Sequence, residues 1–261
     1  MNLSLEGKFA IICGSTQGIG LAVAEELAVM GASCTLIARN EESLKSVVQH
    51  LDIALRQQHG YIVADFSHPA KLKQAIHKHM EKNLAHILIN NSGGPKAGLI
   101  MEADESEFVD AFNQHLVCNH ILTKAVIPSM REEAYGRIIN IISTSVKIPH
   151  PNLGVSNTIR GAVASWAKTM ANELGPFNIT VNNILPGYTA TGRLLSVMET
   201  NAERRGLEKD QVEKEMINSI PLRRFGSASE IAAVAGFLAS PAASYVSGTS
   251  IPVDGGRTGS I

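Results

Sequence analysis

The sequence predicts an α/β protein with a doubly wound, parallel, seven-stranded sheet and helices on both faces. Short apolar runs alternate with stretches of helical periodicity along the whole chain. Clusters of glycine and polar residues follow the apolar runs, and no linker, repeat or low-complexity segment divides the 261 residues. Regular alternation of strands and helices favours right-handed crossovers and a parallel sheet covered on both sides. We therefore expect a single domain over residues 1–261.

The predicted strands are short and apolar, and they lie at 8–13, 33–38, 60–63, 85–90, 137–142, 179–184 and 248–253. The predicted helices lie between them, at 19–30, 41–58, 69–82, 104–130, 153–174 and 227–239. Residues 191–220 interrupt this alternation with a long, charged and helical insert. Charge-rich runs are commonly solvated surface helices, but an insert directly after a strand end also suits a mobile lid over a site. We predict a substrate lid at 191–220.

Composition excludes several classes of function. The chain is 44% hydrophobic and 18% charged, which suits a large core and a subunit interface. A net charge of −1 gives no electrostatic basis for binding nucleic acid or an anionic membrane. No apolar run approaches the ~20 residues of a membrane span, and the first residues do not resemble a signal peptide. Three scattered cysteines do not make a disulfide framework, so we expect buried thiols and a cytoplasmic protein.

The glycine-rich stretch after the first predicted strand is the strongest single motif. Its spacing is Gly14-Ser-Thr-Gln-Gly18-Ile-Gly20, and a helical pattern begins at once. A strand that turns through glycines into a helix presents backbone N–H groups and a positive helix end to an anion. We expect this turn to bind a dinucleotide pyrophosphate through Gly14, Ser15, Thr16, Gly18, Ile19 and Gly20.

Other polar clusters follow later strands, and they are Asp65-Phe66, Asn90–Gly94, Ser143–Ser145 and Pro186–Thr191. In an open parallel sheet, ligands bind beyond the carboxyl ends of the strands. All of these clusters fall at that edge, so we expect them to form one site. His77 and His79 lack a third ligand at metal-site spacing, and no metal is expected.

Five segments in order resemble the short-chain dehydrogenase/reductase family over Gly7 to Gly256. They are the glycine turn, Asn90-Asn-Ser-Gly93, Asn140-Ile-Ile-Ser143, Val181-Asn-Asn-Ile-Leu-Pro-Gly187 and Val246-Ser-Gly-Thr-Ser-Ile-Pro-Val-Asp-Gly-Gly256. The resemblance implies a Rossmann-type fold, a nicotinamide cofactor and a homotetramer. It also implies reversible hydride transfer to a carbonyl or from an alcohol, with a 3-oxoacyl reductase as one similar activity.

The catalytic residues of that family are only partly present. By resemblance, Ser143 matches the serine that polarises the carbonyl and Asn113 matches the helix asparagine of the proton relay. The Tyr-x-x-x-Lys motif is replaced by Ser156-Asn-Thr-Ile-Arg160. A serine hydroxyl is a far weaker acid than a phenol, which titrates near ~10. Arg160 stays cationic and can hold the nicotinamide ribose, but it does not readily exchange a proton.

The source of the missing proton stays open at the level of sequence. Lys147 and His150 lie between Ser143 and Ser156, and Tyr188 follows Pro186-Gly187. Histidine titrates in a useful range and tyrosine offers a phenol, whereas Lys147 needs a depressed pKa. Each residue also suits an ordinary surface loop.

The end of the second strand predicts NADP(H) rather than NAD(H). An acidic residue that grips the adenosine ribose would stand there, but the chain has Ala38-Arg39-Asn40. Arg39 can pair with a 2′-phosphate. By resemblance, Asp65 and Phe66 frame the adenine, Asn91 and Gly93 face the ribose, and Thr191 stands on the carboxamide side. Arg160 would hold the nicotinamide ribose, and Pro186 and Gly187 are also expected to contact the cofactor.

Two functions remain at this level. The first is an NADP(H)-dependent reductase or dehydrogenase of a small carbonyl or alcohol, with an altered catalytic acid. The alternative is a non-catalytic dinucleotide-binding sensor or subunit that has lost dehydrogenase activity. Ser143 and Asn113 favour the enzyme, and the absence of the tyrosine and lysine favours the sensor.

Overall fold

The computed structural model describes residues 1–260 and contains one sheet of seven parallel strands in the order β3-β2-β1-β4-β5-β6-β7. The strands are β1 Phe9–Cys13, β2 Ser33–Ala38, β3 Gly60–Val63, β4 Ile87–Asn90, β5 Gly136–Ile141, β6 Ile179–Pro186 and β7 Ser250–Val253. The chain winds outward from β1 to one edge, returns to β4 and continues to the other edge. The predicted doubly wound, Rossmann-type sheet is confirmed.

The central strands are buried on both faces, which explains their continuous apolar sequence. Alternate residues of β1 point to opposite faces of the sheet. Ala10 and Ile12 pack in the hydrophobic core on one face, and Ile11 and Cys13 pack in the core on the other. β1 pairs in register with both neighbours, with Ala10 opposite Cys34 of β2 and Ile87 of β4. These pairings bring the carboxyl ends of β1, β2 and β4 to a common edge.

Nine α-helices flank the sheet or extend from it within residues 1–260. They are α1 Gly18–Val29, α2 Glu41–His50, α3 Pro69–Met80, α4 Glu105–Phe112, α5 Cys118–Glu132, α6 Gly154–Leu174, α7 Gly192–Arg205, α8 Lys209–Asn218 and α9 Ala228–Ala239. One face is covered by α1, α2 and α9, through side chains such as Leu27, Leu44 and Leu238. The other face is covered by α3, α5 and α6. None of the helices described is long and apolar enough to cross a membrane.

Two helix predictions need correction. The helix predicted at 41–58 ends at His50, because Leu51 is extended and the Asp52 carboxylate accepts the Ala54 N–H at 2.9 Å. The helix predicted at 104–130 is two helices, α4 and α5, joined by a π-helical turn at Asn113–Val117. Within that turn the Cys118 N–H bonds to the Asn113 carbonyl, five residues back. The wider turn admits an extra residue, and such turns are frequent at functional sites.

The insert at 191–220 folds as a helical pair rather than as irregular loop. α7 and α8 pack on each other through a small apolar cluster that includes Leu194, Met198, Val212 and Met216. Ion pairs at the surface, such as Arg205 with Glu215 at 2.6 Å, join the two helices. The pair follows the carboxyl end of β6 directly, which places it beside the polar clusters.

Candidate active site at the carboxyl edge of the sheet

The glycine turn between β1 and α1 adopts a conformation that other residues reach only with strain. Gly14 and Gly18 have φ of +58° and +56°. A Cβ on Gly20 would lie 2.1 Å from the Gly14 carbonyl oxygen, so helix and strand approach too closely for any side chain. The first turn of α1 has neither an acidic residue nor a side-chain cap. Its N–H groups and positive end therefore suit a phosphate.

Asn91 fixes this turn against the segment that follows β4. Its side-chain amide donates to the carbonyls of Cys13 and Gly14, at 3.2 and 3.3 Å. A Cβ on Gly14 would meet the Asn91 carbonyl at 2.8 Å. The two polar clusters after β1 and β4 thus meet, and Gly93 lies exposed just beyond them.

The end of β2 lies next to the glycine turn, because the Gly14 N–H bonds to the Ile37 carbonyl at 2.8 Å. Ser15 is fully buried there, whereas Thr16 is only partly buried. Arg39 is exposed and has no carboxylate partner within 4 Å among residues 1–260. Asp65 follows β3, and its pKa is lowered chiefly by the Ser67 N–H and slightly by Arg39. Arg39 and Asp65 thus share one end of the cleft.

Asparagines from three adjacent strands form a hydrogen-bonded ladder under the site. The Asn90 amide donates to Asn140, Asn140 donates to Asn183, and Asn183 donates to the Ser250 hydroxyl of β7. The distances are 2.9, 2.9 and 3.0 Å. This asparagine ladder (Asn90, Asn140 and Asn183) is almost fully buried. It ties four adjacent strands together, close to the level where the loops after β4 and β5 begin.

Ser143 follows β5, and Arg160 contacts the last residue of the same strand from α6. The Ser143 hydroxyl oxygen accepts the Ser145 N–H at 3.1 Å, which leaves its own O–H free to donate to a ligand. Arg160, on α6, is 8% exposed and donates to the Ile141 carbonyl at 3.3 Å. Burial and the nearby Arg193 lower the pKa of Arg160 to about 10, so it stays cationic at neutral pH. Ser156 is one helical turn earlier on α6 and is buried as well.

The π-helical turn brings a histidine, rather than Asn113, into the buried part of the site. Asn113 begins the turn, is partly exposed and makes no side-chain hydrogen bond among residues 1–260. Its role in a proton relay stays a prediction. His115 is 1% exposed, and its Nδ1 lies 2.7 Å from the Ser92 hydroxyl. Burial, with smaller contributions from Arg160 and Arg193, lowers the pKa of His115 to about 2. Its ring is therefore neutral at physiological pH.

The three candidate proton donors have different surroundings. Lys147 is exposed. His150 Nε2 lies 2.8 Å from the Thr144 hydroxyl, and burial together with Arg257 lowers the pKa of His150 to about 4. Tyr188 is partly buried, and its phenol oxygen accepts a hydrogen bond from Arg257 at 3.0 Å. A phenol beside a guanidinium thus stands at the base of α7.

The helical pair α7–α8 begins beside the site. Thr191 precedes α7, and its methyl group would be 3.4 Å from a Cβ on Gly18, so it lies next to the glycine turn. Two residues later, Arg193 donates to the Pro95 carbonyl at 2.7 Å. A cavity of about 290 Å³ opens between α7, the segment 96–103 and α6. Its walls include Lys96, Leu99, Glu102, Val155, Thr200 and Arg204.

Sequence reasoning did not identify four residues of this site, which are Ser92, His115, Arg193 and Arg257. His115 stands in an apolar helical stretch and resembles an ordinary core histidine. Arg193 begins a charged insert, where surface arginines are common. Only the folded chain brings these residues beside Arg160 and Tyr188, because they come from separate segments of sequence.

A glycine cradle on the first strand, at the carboxyl edge of a doubly wound sheet, is typical of a dinucleotide-binding protein. Comparison with known proteins agrees. The family model described as enoyl-(acyl carrier protein) reductase matches residues 14–258. The NADPH-dependent reductase BacG of Bacillus subtilis is 31% identical over 254 residues, which cover 97% of this chain and 98% of that protein. The 3-oxoacyl-[acyl-carrier-protein] reductase FabG of Pseudomonas aeruginosa is 32% identical over 258 residues, with 97% and 98% covered.

A solved structure agrees over the full length. L-sorbose reductase from Gluconobacter frateurii, complexed with NADPH and L-sorbose, superimposes with a TM-score of 0.92 at 28% identity, covering 100% of both chains. The chain therefore belongs to the short-chain dehydrogenase/reductase family and is an oxidoreductase.

Proposed function

We propose that this protein is an NADP(H)-dependent reductase or dehydrogenase of a carbonyl or alcohol, with an altered catalytic acid. The observation that carries the proposal is that Ser143, with a free O–H, and the buried cation Arg160 both lie at the end of β5. These two groups can polarise a carbonyl oxygen even without the tyrosine and lysine of the family. The names of relatives include 3-oxoacyl and sugar reductases, so a 3-oxoacyl compound is one member of the substrate class.

The residues present fit a bound dinucleotide, which would supply the hydride. The glycine turn and the uncapped start of α1 would hold its pyrophosphate. Arg160 would hold the nicotinamide ribose and stabilise negative charge on the substrate oxygen, while Ser143 would donate a hydrogen bond to that oxygen. Asp65 and Phe66 would frame the adenine, and Thr191 would stand on the carboxamide side. The helical pair α7–α8 would act as the lid, and the cavity beneath it would admit substrate.

For the proton we propose Tyr188. A general acid must hold its proton at the working pH and lose it to the developing alkoxide. His150 fails the first condition, because its pKa is lowered to about 4. Lys147 is exposed and makes no side-chain hydrogen bond within residues 1–260 that would fix its position. Arg257 donates to the Tyr188 oxygen and would stabilise the phenolate left after proton transfer.

The function is tested by titrating the protein with NADPH and then following nicotinamide absorbance with a panel of aldehydes, ketones and 3-oxoacyl esters. We expect the wild type to turn over at least one carbonyl, and we expect Tyr188→Phe to lower the rate of that turnover. Tight NADPH binding with no turnover of any carbonyl, or of any alcohol with NADP⁺, would favour a non-catalytic dinucleotide-binding protein instead.

Arg39 is expected to set the preference for NADPH. Arg39→Ala should weaken NADPH binding roughly tenfold or more, since one charge-assisted contact contributes about 1.5–3 kcal/mol, and should leave NADH binding unchanged. Calorimetry with both cofactors measures the difference. Arg56→Ala, which removes an exposed arginine from the loop before β3, is the matched control. Equal affinity of the wild type for NADPH and NADH would contradict the assignment.

A homotetramer is part of this proposal. Val109 and Phe112 on α4 are 59% and 43% exposed, although Phe108, just before them, packs against α6. This apolar surface on α4, together with α5 and α6, would meet other copies of the chain. Light scattering at micromolar concentration should give four times the mass of the chain, and a monomer mass would overturn the expectation. The thiols of Cys13, Cys34 and Cys118 are free and buried, which suits a reducing, cytoplasmic location.

A further inference from the structure

Two arginines approach the reactive end of the cleft without an acidic partner. Arg160 is buried and has one hydrogen bond, to a main-chain carbonyl. Arg193 reaches from the first turn of α7 to the Pro95 carbonyl. Within residues 1–260, no carboxylate lies within 4 Å of either guanidinium. Buried charges are ordinarily paired, so the unpaired guanidinium of the buried Arg160 indicates that an anion binds beside it, whereas Arg193 is exposed and reaches the same end of the cleft.

The segment 91–95 brings Arg193 and a histidine together. Its Ser92 contacts His115, and its Pro95 holds Arg193. A Cβ on Gly94 would lie 3.4 Å from the Arg193 guanidinium, so that group lies flat against the segment. Both arginines lower the pKa of the His115 ring, which places all three in one positively charged neighbourhood. The Pro95 contact uses only one of the five N–H donors of Arg193.

We propose that Arg193, with Arg160 behind it, binds a carboxylate of the substrate, so that the natural substrate is a small oxo acid or the matching hydroxy acid. The inference rests on the proposed function, because it assigns the substrate of that same site. A planar guanidinium matches a carboxylate in a two-point contact. Arg193 is exposed, so a ligand can reach it. The Pro95 contact fixes its orientation before the substrate arrives.

The phosphates of a dinucleotide do not account for both arginines. The glycine turn and the start of α1 already provide a pyrophosphate site, and Arg39 stands at the 2′-phosphate end. Arg193 comes after Thr191, on the side of the site where the nicotinamide and the substrate would meet. A carboxylate of the substrate would pair with Arg193 there.

The first test compares acids with esters. Reduction of 2-oxobutanoate and 3-oxobutanoate is measured beside reduction of their methyl esters, in the wild type and in Arg193→Gln, which keeps a donor for Pro95. We expect kcat/KM of the wild type to favour the acids at least tenfold, and Arg193→Gln to remove that preference while the esters are unaffected. Arg205→Gln is the control, because it removes the same charge from the other end of α7, where Arg205 pairs with Glu215. This variant should keep the preference for acids.

The second test does not depend on turnover. Oxamate, an unreactive 2-oxo acid isostere, is titrated by calorimetry into protein saturated with NADP⁺, and NADPH affinity is measured for each variant. Oxamate should bind at least tenfold more weakly to Arg193→Gln, with NADPH affinity unchanged. Equal oxamate binding by the wild type and Arg193→Gln, or a matching loss of NADPH affinity, would overturn the inference. Absence of turnover with every substrate, together with Arg193-dependent oxamate binding, would reject the proposed function and retain the anion site.

Discussion

Replacing Ser156 by tyrosine and Arg160 by lysine is expected to raise carbonyl reductase activity at least tenfold. The double variant restores a phenol and an ammonium group four residues apart on α6, next to Ser143. A well-placed general acid contributes roughly 10²- to 10⁴-fold, and part of that gain should appear even in a site not adapted to it. The measurement is kcat with NADPH and a small ketone, after a titration shows that the variant still binds NADPH.

The control for this prediction is Ser156→Phe with Arg160→Lys, which adds the same ring without its hydroxyl. If the phenylalanine variant gains as much as the tyrosine variant, the gain comes from packing and not from proton transfer. If the tyrosine variant binds NADPH and reduces nothing, the assignment of residues 156 and 160 to the proton-transfer positions is wrong.

Acidification is expected to destabilise the protein through His115. In the folded chain the pKa of His115 is about 2, whereas an unfolded histidine titrates near 6.5. Below pH 6.5 the unfolded chain gains a proton that the folded chain does not bind, so the free energy of unfolding falls by about 1.4 kcal/mol per pH unit for this group. Above pH 6.5 it contributes no pH dependence. Between pH 8 and pH 5 the loss from His115 is therefore about 2 kcal/mol.

Urea unfolding at both pH values measures this loss. His115→Asn keeps an amide near the Ser92 hydroxyl and removes the titrating ring. Between pH 8 and pH 5, the free energy of unfolding of this variant should therefore fall by about 2 kcal/mol less than that of the wild type. His77→Asn, at an exposed position on α3, should behave as the wild type does. If the free energy of unfolding changes equally between pH 8 and pH 5 in His115→Asn and in the wild type, the His115 ring titrates normally in the folded chain and the prediction is wrong.

Much of the fold could be predicted because strands buried on both faces are continuous apolar runs. All seven predicted strands overlap the observed ones, and β2 and β3 agree to the residue. The helix predicted at 41–58 was too long because Leu51 and Ile53 continue an apolar period. The folded loop instead bonds the Gln57 amide to the Ala28 carbonyl of α1 at 2.8 Å, and no pattern in the sequence signals that contact.

The candidate site could be predicted where one segment supplies it and not where several segments meet. The glycine turn is local, and its constraints on Gly14 and Gly20 follow from the short path between β1 and α1. The π-helical turn that buries His115 differs from an α-helix by one hydrogen-bond step, which hydrophobic periodicity does not register. The pairing of Tyr188 with Arg257 joins residues 69 positions apart. The parallel pairing of β6 with β7, which puts Pro186 opposite Val253, brings the segments that carry these two residues together.

The asparagine ladder bears on how this protein can be re-engineered. All three amides donate in the same direction, from β4 toward β7, so each side chain is locked in one orientation. The loops that follow β4 and β5 therefore start from a shared, rigid base. A new loop after Ile141 or after Pro186 should keep that base, provided that Asn140 is kept at the centre. A graft after Pro186 should also retain the Arg193 contact with Pro95, because that contact joins it to the segment after β4. A library that varies these loops while retaining the three asparagines would explore new substrates without unseating the cofactor cradle.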